Sequence, residues 1–246
     1  MVDVEIALPG DGGPHCFVSD LDSPVLDPGD HHHLERVLRL RPGDQLTVGD
    51  GVGGWAPCRF GPSLEVVGPV GRVAPPSPRL TVGFALVKGE RPELVIQKLT
   101  EAGIDRIVPF TAERSVVRWD HLKAAKQHGR FVRIAREAAM QSRRLWLPEI
   151  VALATFAQVS ASTDPVVVRA DVAGRSLRRT DRFVLVGPEG GWSPAERDAS
   201  ADAVTLGPTV MRAETAAIAA GVLLVALRGG YVGETSQDAG PPAQYH

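Results

Sequence analysis

Phe183-Val-Leu-Val-Gly-Pro-Glu-Gly-Gly-Trp-Ser-Pro-Ala-Glu196 reads as a buried strand, a glycine-rich turn and the start of a helix. The glycines permit positive φ and close approach of backbone to a ligand. Ser193 fits an N-cap, Pro194 the first helical position, and Glu196 completes a capping box. A second unit follows, Val204-Thr-Leu-Gly-Pro-Thr-Val-Met-Arg-Ala-Glu-Thr-Ala-Ala217: again a strand, a Gly-Pro turn and a helix. Two consecutive strand–loop–helix units with backbone-rich loops describe a small-molecule pocket at strand ends, its usual place in open α/β sheets. The competing reading of the Gly187–Gly191 loop is a tight turn without a ligand. The spacing fits neither the phosphate-binding P-loop nor the dinucleotide fingerprint, which disfavours a nucleoside triphosphate or NAD.

Outward from these loops, strands alternate with helices. Leu80–Val87, Ile107–Phe110, Val166–Ala170 and Phe183–Val186 read as strands, and Pro92–Ala102 as a helix stopped by Gly103. A long helix is expected from about Asp120 to Trp146, with an interruption near Gly129. This alternation predicts a mainly parallel sheet. Upstream, residues 1–73 are rich in Gly, Pro and Asp, with short β-like runs such as Gln45–Val48 and Leu64–Val67 between turn signals, the pattern of a small β-barrel. Ala74-Pro-Pro-Ser-Pro78 reads as a stiff linker. The domain expectation is therefore 1–73, linker 74–78, α/β domain 79–233, and a disordered tail over 234–246, which has little apolar content.

Composition limits the function classes. In 246 residues, 43% hydrophobic and 23% charged, no apolar run reaches the length of a membrane helix. The acidic N-terminus carries no signal-peptide pattern. Cys16 and Cys58 match no metal spacing and are too few for a disulfide scaffold, so reduced cytoplasmic thiols are expected. His31-His-His33 is an improbable metal site, because adjacent residues rarely converge on one ion; no metal is expected. The net charge of −2 alone argues against a nucleic-acid partner, but its distribution does not. Lys88–Arg144 holds 13 Lys/Arg against 7 Asp/Glu, a localised basic region in an otherwise acidic chain.

Within it, Phe131, Ile134, Ala138 and Leu145 share one side of the long helix at 100° per residue, and Arg130, Arg133, Arg136, Arg143 and Arg144 share the opposite arc. That arc is either a phosphate-binding face or a solvated one. In the second loop, Glu214 falls in the first helical turn, where the dipole favours the anion and argues against a strong base. Arg212 stands just before the helix, directed into the pocket or paired with Glu214 or Glu189. The helix from Ala216 to Leu227 is almost wholly apolar, which predicts burial or a subunit interface.

The motifs, taken in order, resemble the RsmE-type 16S ribosomal RNA (uracil(1498)-N(3))-methyltransferases of the SPOUT superfamily. Five segments carry the resemblance, which extends to about Gly233: His32-His33-Leu34-x-x-Val37-Leu38-Arg39-Leu40 with Gly43-Asp44 and Asp50-Gly51-x-Gly53; Gln97-Lys98-x-x-Glu101-x-Gly103; Glu113-Arg114-Ser115; Glu137-Ala138-x-x-Gln141-Ser142-x-Arg144 with Pro148; and the two loops. The resemblance implies a PUA-like β-barrel that helps bind RNA, followed by a SPOUT-type α/β domain ending in a trefoil knot. It implies a cytoplasmic homodimer that methylates N3 of a 1498-type uridine in the 16S rRNA of the small ribosomal subunit. S-adenosylmethionine (SAM) is then the cofactor, with contacts at Val186, Gly187, Gly191, Leu206, Met211 and Ala216. Arg212 is the catalytic candidate, with Glu214 orienting it or accepting a proton through water. His33, Arg36, Arg39, Arg114, Arg130, Arg133 and Arg144 are the RNA-binding candidates. Where the family usually has Leu-Arg-Thr-Glu-Thr-Ala, Met211 and Ala213 stand here, so any role for a hydroxyl at 213 is absent. A SPOUT-like enzyme acting on another RNA site is disfavoured by the His32–Gly53 segment, and a non-enzymatic RNA-binding factor by the intact Gly187–Gly191 loop. No glycine-rich loop follows the first strand of the larger domain, which disfavours a Rossmann methyltransferase.

Overall fold

The computed structural model describes residues 13–89, 91–200 and 202–233. The expected disordered tail, 234–246, lies outside them. The chain forms two compact units that divide between Pro76 and Ser77, inside the proline-rich stretch, and the first unit also takes in Arg133–Leu147.

The first unit contains β1 (His15–Phe17), α1 (Pro28–His32) running into a π-helical turn (His33–Val37), β2 (Gln45–Gly49), β3 (Gly54–Arg59), β4 (Glu65–Val66) and β5 (Gly71–Arg72). The sheet order is β1-β2-β3-β4, with β5 also on β3. β1 runs parallel to β2 and the other pairs are antiparallel. β3 contains Pro57, which has no N–H to give a ladder. The position tolerates it because Thr47, its partner across β2, turns its own N–H to Pro14 O. The core gathers Cys16, Leu34, Leu46, Val48, Ala56 and Cys58, with Met140 packed against it. Burial, helped by the charge of Asp30, pushes the Cys16 thiol up to about 12, and burial pushes Cys58 up to about 11. Both are packing residues rather than nucleophiles.

The later segment is tied to this unit by backbone and ring. Gly53 N donates to Leu145 O, Leu147 N to Gly51 O, and the Trp146 indole N–H to Val73 O. A Cβ on Gly53 would stand 2.6 Å from the Trp146 ring nitrogen, so the indole lies directly on that glycine.

The second unit contains β6 (Thr81–Ala85), α2 (Arg91–Ala102), β7 (Arg106–Thr111), β8 (Glu149–Ile150), β9 (Ala154–Thr155), α4 (Phe156–Ser160), β10 (Val167–Ser176), β11 (Phe183–Val186), α5 (Pro194–Ala199), β12 (Ala203–Thr205) and α6 (Ala213–Gly229). α3 (His121–Gln141) begins in this unit and ends in the first. The sheet order is β12-β10-β11-β6-β7-β8, with β9 on β7, and every pairing is parallel. β6 and β11 are buried along their whole lengths, as strands covered on both faces must be. α6 packs on α2 closely enough that a Cβ on Gly221 would stand 2.4 Å from Leu99 Cδ2. The chain thus holds an α/β unit on a parallel sheet and a unit with a mixed sheet.

The long helix corrects two expectations. α3 passes Gly129 without a break: one glycine costs a helix interior only about 1 kcal/mol, which the rest of this 21-residue helix absorbs. It also stops at Gln141 rather than Trp146. Arg143 takes a positive φ of 55°, while Ser142 N and Arg144 N donate back to Ala138 O and Ala139 O, closing the helix end.

Candidate functional site

The two loops quoted at the outset face one cavity of about 510 Å³ at the C-terminal ends of β11 and β12 and against the middle of β10. One wall is the turn after β11. Gly191 has φ +70°, the left-handed region that an L side chain enters only at a cost, and no heavy atom lies within 4 Å of its Cβ position. Gly187 is needed for a different reason: a Cβ there would meet the Trp192 ring at 2.8 Å. Trp192 is buried, donates its indole N–H to Ala170 O at 2.8 Å, and stacks parallel to Phe110 at 6.2 Å. The expected capping box forms: the Ser193 hydroxyl accepts from Glu196 N, and a Glu196 carboxylate oxygen accepts from Ser193 N.

The second wall runs from Thr205 through Leu206, Gly207 and Met211 to Arg212 and Ala216. Arg212 is the N-cap residue of α6, in extended conformation and without a side-chain cap bond. Val186, Gly187, Gly191, Leu206, Met211, Ala216 and Arg212 therefore line the same cavity. Glu214 does not line it. Its side chain is 11% exposed, and its Oε2 has no hydrogen-bond partner among the described residues.

The alternative pairing of Arg212 with Glu189 or Glu214 is pre-empted by a residue the sequence reading missed. Arg91, at the start of α2, places Nη1 3.4 Å from Glu189 Oε1 and Nε 3.5 Å from Glu214 Oε1. Among the described residues Arg212 has no such ion pair. Nothing in the periodicity of α2 marks Arg91, because its partners are distant in sequence.

A second missed group is Asp171. β10 pairs Ala170 with Val204 and then Arg175 with the same Val204, so residues 171–174 leave the ladder as a bulge. The bulge turns Asp171 and Val172 into the cavity wall. Burial pushes the Asp171 carboxyl up. The backbone N–H of Ala173 and the guanidinium groups of Arg169 and Arg197 more than offset this and hold it below the usual carboxylate range. The cavity thus offers Val186, Leu206 and Met211 as apolar surface, two carboxylates (Asp171, Glu189) and two guanidiniums (Arg197, Arg212). Such a lining suits an amphoteric ligand with an apolar body.

The arginine arc is corrected by the structure. Arg136 is not on a free face: it donates to Asp30 Oδ2 at 2.6 Å and to Phe17 O at 3.1 Å in the first unit, and the Asp30 hydrogen bond holds its guanidinium above its ordinary value. Arg130 pairs with Glu93 at 2.7 Å, and Arg133 with Glu137 at 3.8 Å. Arg143 and Arg144 lie beyond the end of α3, so they do not continue its arc. His33, Arg36 and Arg39 are exposed on and after the π-helical turn, beside the exposed Val37 and Leu38. Arg114 donates to Gly190 O at 3.2 Å, against the glycine-rich loop. His31 lies against the Phe60 ring at 5.0 Å, and no group of three or more metal-ligating side chains converges among the described residues. Nor is any described helix long and apolar enough to cross a membrane.

The chain is similar to known proteins. An RNA methyltransferase domain family matches residues 75–225, and an RNA methyltransferase PUA domain family matches residues 26–61. The ribosomal RNA small subunit methyltransferase E of Mycobacterium tuberculosis (strain CDC 1551 / Oshkosh) is 38% identical over 225 residues, 80% of this chain and 83% of the relative. Among solved structures, a Legionella pneumophila protein in complex with bound SAM has a TM-score of 0.77 at 28% identity, covering 86% of this chain and 96% of its own. The Neisseria gonorrhoeae ribosomal RNA small subunit methyltransferase E bound to S-adenosylmethionine has a TM-score of 0.73 at 25% identity, covering 87% and 97%.

Proposed function

Because the chain belongs to the ribosomal RNA small subunit methyltransferase E family, we propose that it methylates N3 of one uridine, at the 1498-type position, in the 16S rRNA of the small ribosomal subunit. It is a SAM-dependent rRNA methyltransferase. The observation that carries the reading is the cavity between the two strand-end loops, where backbone, apolar side chains and both signs of charge meet.

The cavity fits the cofactor. Its volume lies within the roughly 300–1,000 Å³ of small-molecule sites, and the open position at Gly191 leaves backbone accessible to a ligand. Val186, Gly187, Gly191, Leu206, Met211 and Ala216 would hold it, and Asp171 adds a carboxylate for hydroxyl or ammonium groups. Bound there, S-adenosylmethionine supplies an electrophilic methyl group on a sulfonium sulfur.

The chain's own work is to present uracil N3 and manage its proton. N3 lies on the Watson–Crick edge, so the base must be unpaired or extruded to reach the cavity. Loss of the N3 proton leaves negative charge spread over O2 and O4. Arg212, exposed at the cavity wall, stabilises that charge without transferring a proton. Glu214 pairs with Arg91 and not with Arg212, so of its two expected roles it takes the proton through water rather than orienting Arg212; its Oε2, without a partner among the described residues, supports that acceptor role.

The same reading extends to a PUA-like β-barrel over 1–73, the 74–78 linker, and a SPOUT-type domain over 79–233 with a C-terminal trefoil knot, working as a cytoplasmic homodimer with the site near the interface. The PUA family match supports RNA contact through His33, Arg36 and Arg39. Arg114, Arg130, Arg133 and Arg144 extend that contact. The apolar α6, with Val222 half exposed and Tyr231 and Val232 exposed beyond it, supports the dimer. The decisive experiment is methyl transfer from labelled S-adenosylmethionine to small subunits lacking the modification, with the product base mapped. Label on N3 of a single 16S uridine is expected; label at another atom or on another RNA overturns the assignment.

A further inference from the structure

The turn after β7, Ala112-Glu113-Arg114-Ser115, has no part in the chemistry above beyond the RNA-binding candidate Arg114, yet it is built against the glycine-rich loop. Ser115 Oγ accepts from Ala112 N at 3.0 Å and Ser115 N donates to Ala112 O, which folds the turn on itself. Arg114 donates to Gly190 O, and a Cβ on Gly190 would stand 3.2 Å from Arg114 Cβ. Between the two segments sits Glu196, 4% exposed. Its Oε2 accepts from Ser193 N at 2.9 Å, and its Oε1 accepts from Glu113 N at 2.8 Å.

We infer that Glu196 is a positioning residue whose two carboxylate oxygens tie the 112–115 turn to the glycine-rich loop and hold that cavity wall in its ligand-receiving shape. The capping box alone does not require a carboxylate, because glutamine closes such a box equally well. The second bond does require one: with Ser193 N on one side and Glu113 N on the other, both oxygens must accept, and a glutamine amide would set a donor against a donor. Trp192, next to Ser193, donates in turn to Ala170 O, so this end of the loop carries a second tie. Preorganisation of this kind acts on affinity, because the loop need not be ordered when the ligand arrives.

The inference rests on the cofactor reading, and its test separates the two. S-adenosylmethionine is titrated calorimetrically into the full chain, and amide exchange at Glu113 is followed by NMR, for the wild type, E196Q and S193A. E196Q is expected to raise Kd about tenfold, the factor carried by one charge-assisted hydrogen bond, with faster exchange at Glu113 and turnover at saturating cofactor reduced less than affinity. S193A loses a cap hydroxyl but not the tie, so its stability falls while Kd stays within about twofold of the wild type. A folded E196Q with wild-type Kd overturns the inference, as does an S193A whose Kd rises as much as that of E196Q. An unprotected Glu113 amide in the wild type overturns it without any variant. A wild-type chain that binds no S-adenosylmethionine, with the Glu113 amide protected, overturns the cofactor reading instead.

Discussion

Gly191→Ala separates the two readings of the glycine-rich loop, ligand cradle or tight turn. The cost to folding follows from the structure. The backbone at 191 sits at φ +70°, and an L side chain there costs roughly 1–2 kcal/mol. No steric term adds to it, because no heavy atom lies within 4 Å of the new Cβ. Part of the strain is offset by the lower chain entropy of unfolded alanine, which leaves about 1 kcal/mol, or a fall of about 2–4 °C in Tm for a chain of this size. A protein of ordinary stability stays folded under that loss, so affinity read on folded protein owes nothing to it. The new methyl does occupy space on the cavity wall. If a ligand approaches the backbone there, Kd for S-adenosylmethionine should rise tenfold or more while Tm moves only by the amount above. Gly187→Ala is the contrast: its Cβ collides with the buried, hydrogen-bonded Trp192 at 2.8 Å. It should cost about 1–3 kcal/mol of stability through overpacking. Thermal unfolding and calorimetric titration of both variants decide the matter. Wild-type Kd in Gly191→Ala would mean that the glycine answers only to its φ and that the loop is a turn.

Three further outcomes are expected. Arg212→Ala should lower the methylation rate about 100-fold with cofactor Kd within about threefold; an unchanged single-turnover rate removes Arg212 from the mechanism. His15, buried with its Nδ1 on Thr47 Oγ1, is lowered to about 4, chiefly by burial and then by the charge of Arg143. Its folded-state value lies below its unfolded value near 6.5, so stability is lost as pH falls from 6.5 towards 4, by about 2–3 kcal/mol at pH 4.5. The stability gap between the wild type and His15→Gln should narrow by that amount between pH 7 and pH 4.5 in urea titrations, and parallel profiles would contradict the assignment. Arg136→Met strands Asp30, whose side chain is only 14% exposed, and should cost about 2–4 kcal/mol. The salt slope of RNA binding should not change with it, and a slope reduced by about 1 would return Arg136 to the RNA contact.

What the sequence made legible was local. The apolar run Phe183–Val186, the capping residues Ser193 and Glu196 and the glycines between them encode their structure within a few positions, and those segments fold as read. β3 was hidden because Pro57 breaks the usual strand grammar, and only the outward-turned N–H of Thr47 makes room for it. Arg130, Arg133 and Arg136 look alike on a helical wheel, yet Glu93, Glu137 and Asp30 give them three different fates, and two of those partners lie far away in sequence. Arg91 and Asp171 escaped for the same reason. An ion pair joining α2 to two loops, and a bulge that turns a strand carboxylate into a cavity, are properties of register and packing with no periodic trace.

The seating of Trp146 on Gly53 and the ties from Leu145 and Leu147 to the loop around Gly51 also govern the order in which the chain matures during synthesis. Domains commonly condense in the order in which they leave the ribosome. Here residues 1–76 emerge first, but their unit stays unfinished until Arg133–Leu147 has followed, after β6, α2 and β7 have passed. Such long-range closure is slow, because the intervening loop must close before its contacts are gained. Synthesis of the first unit is therefore interrupted by part of the second before it can be completed, and a nascent chain stalled before residue 133 would carry its Leu46 and Cys58 core without the segment that closes it.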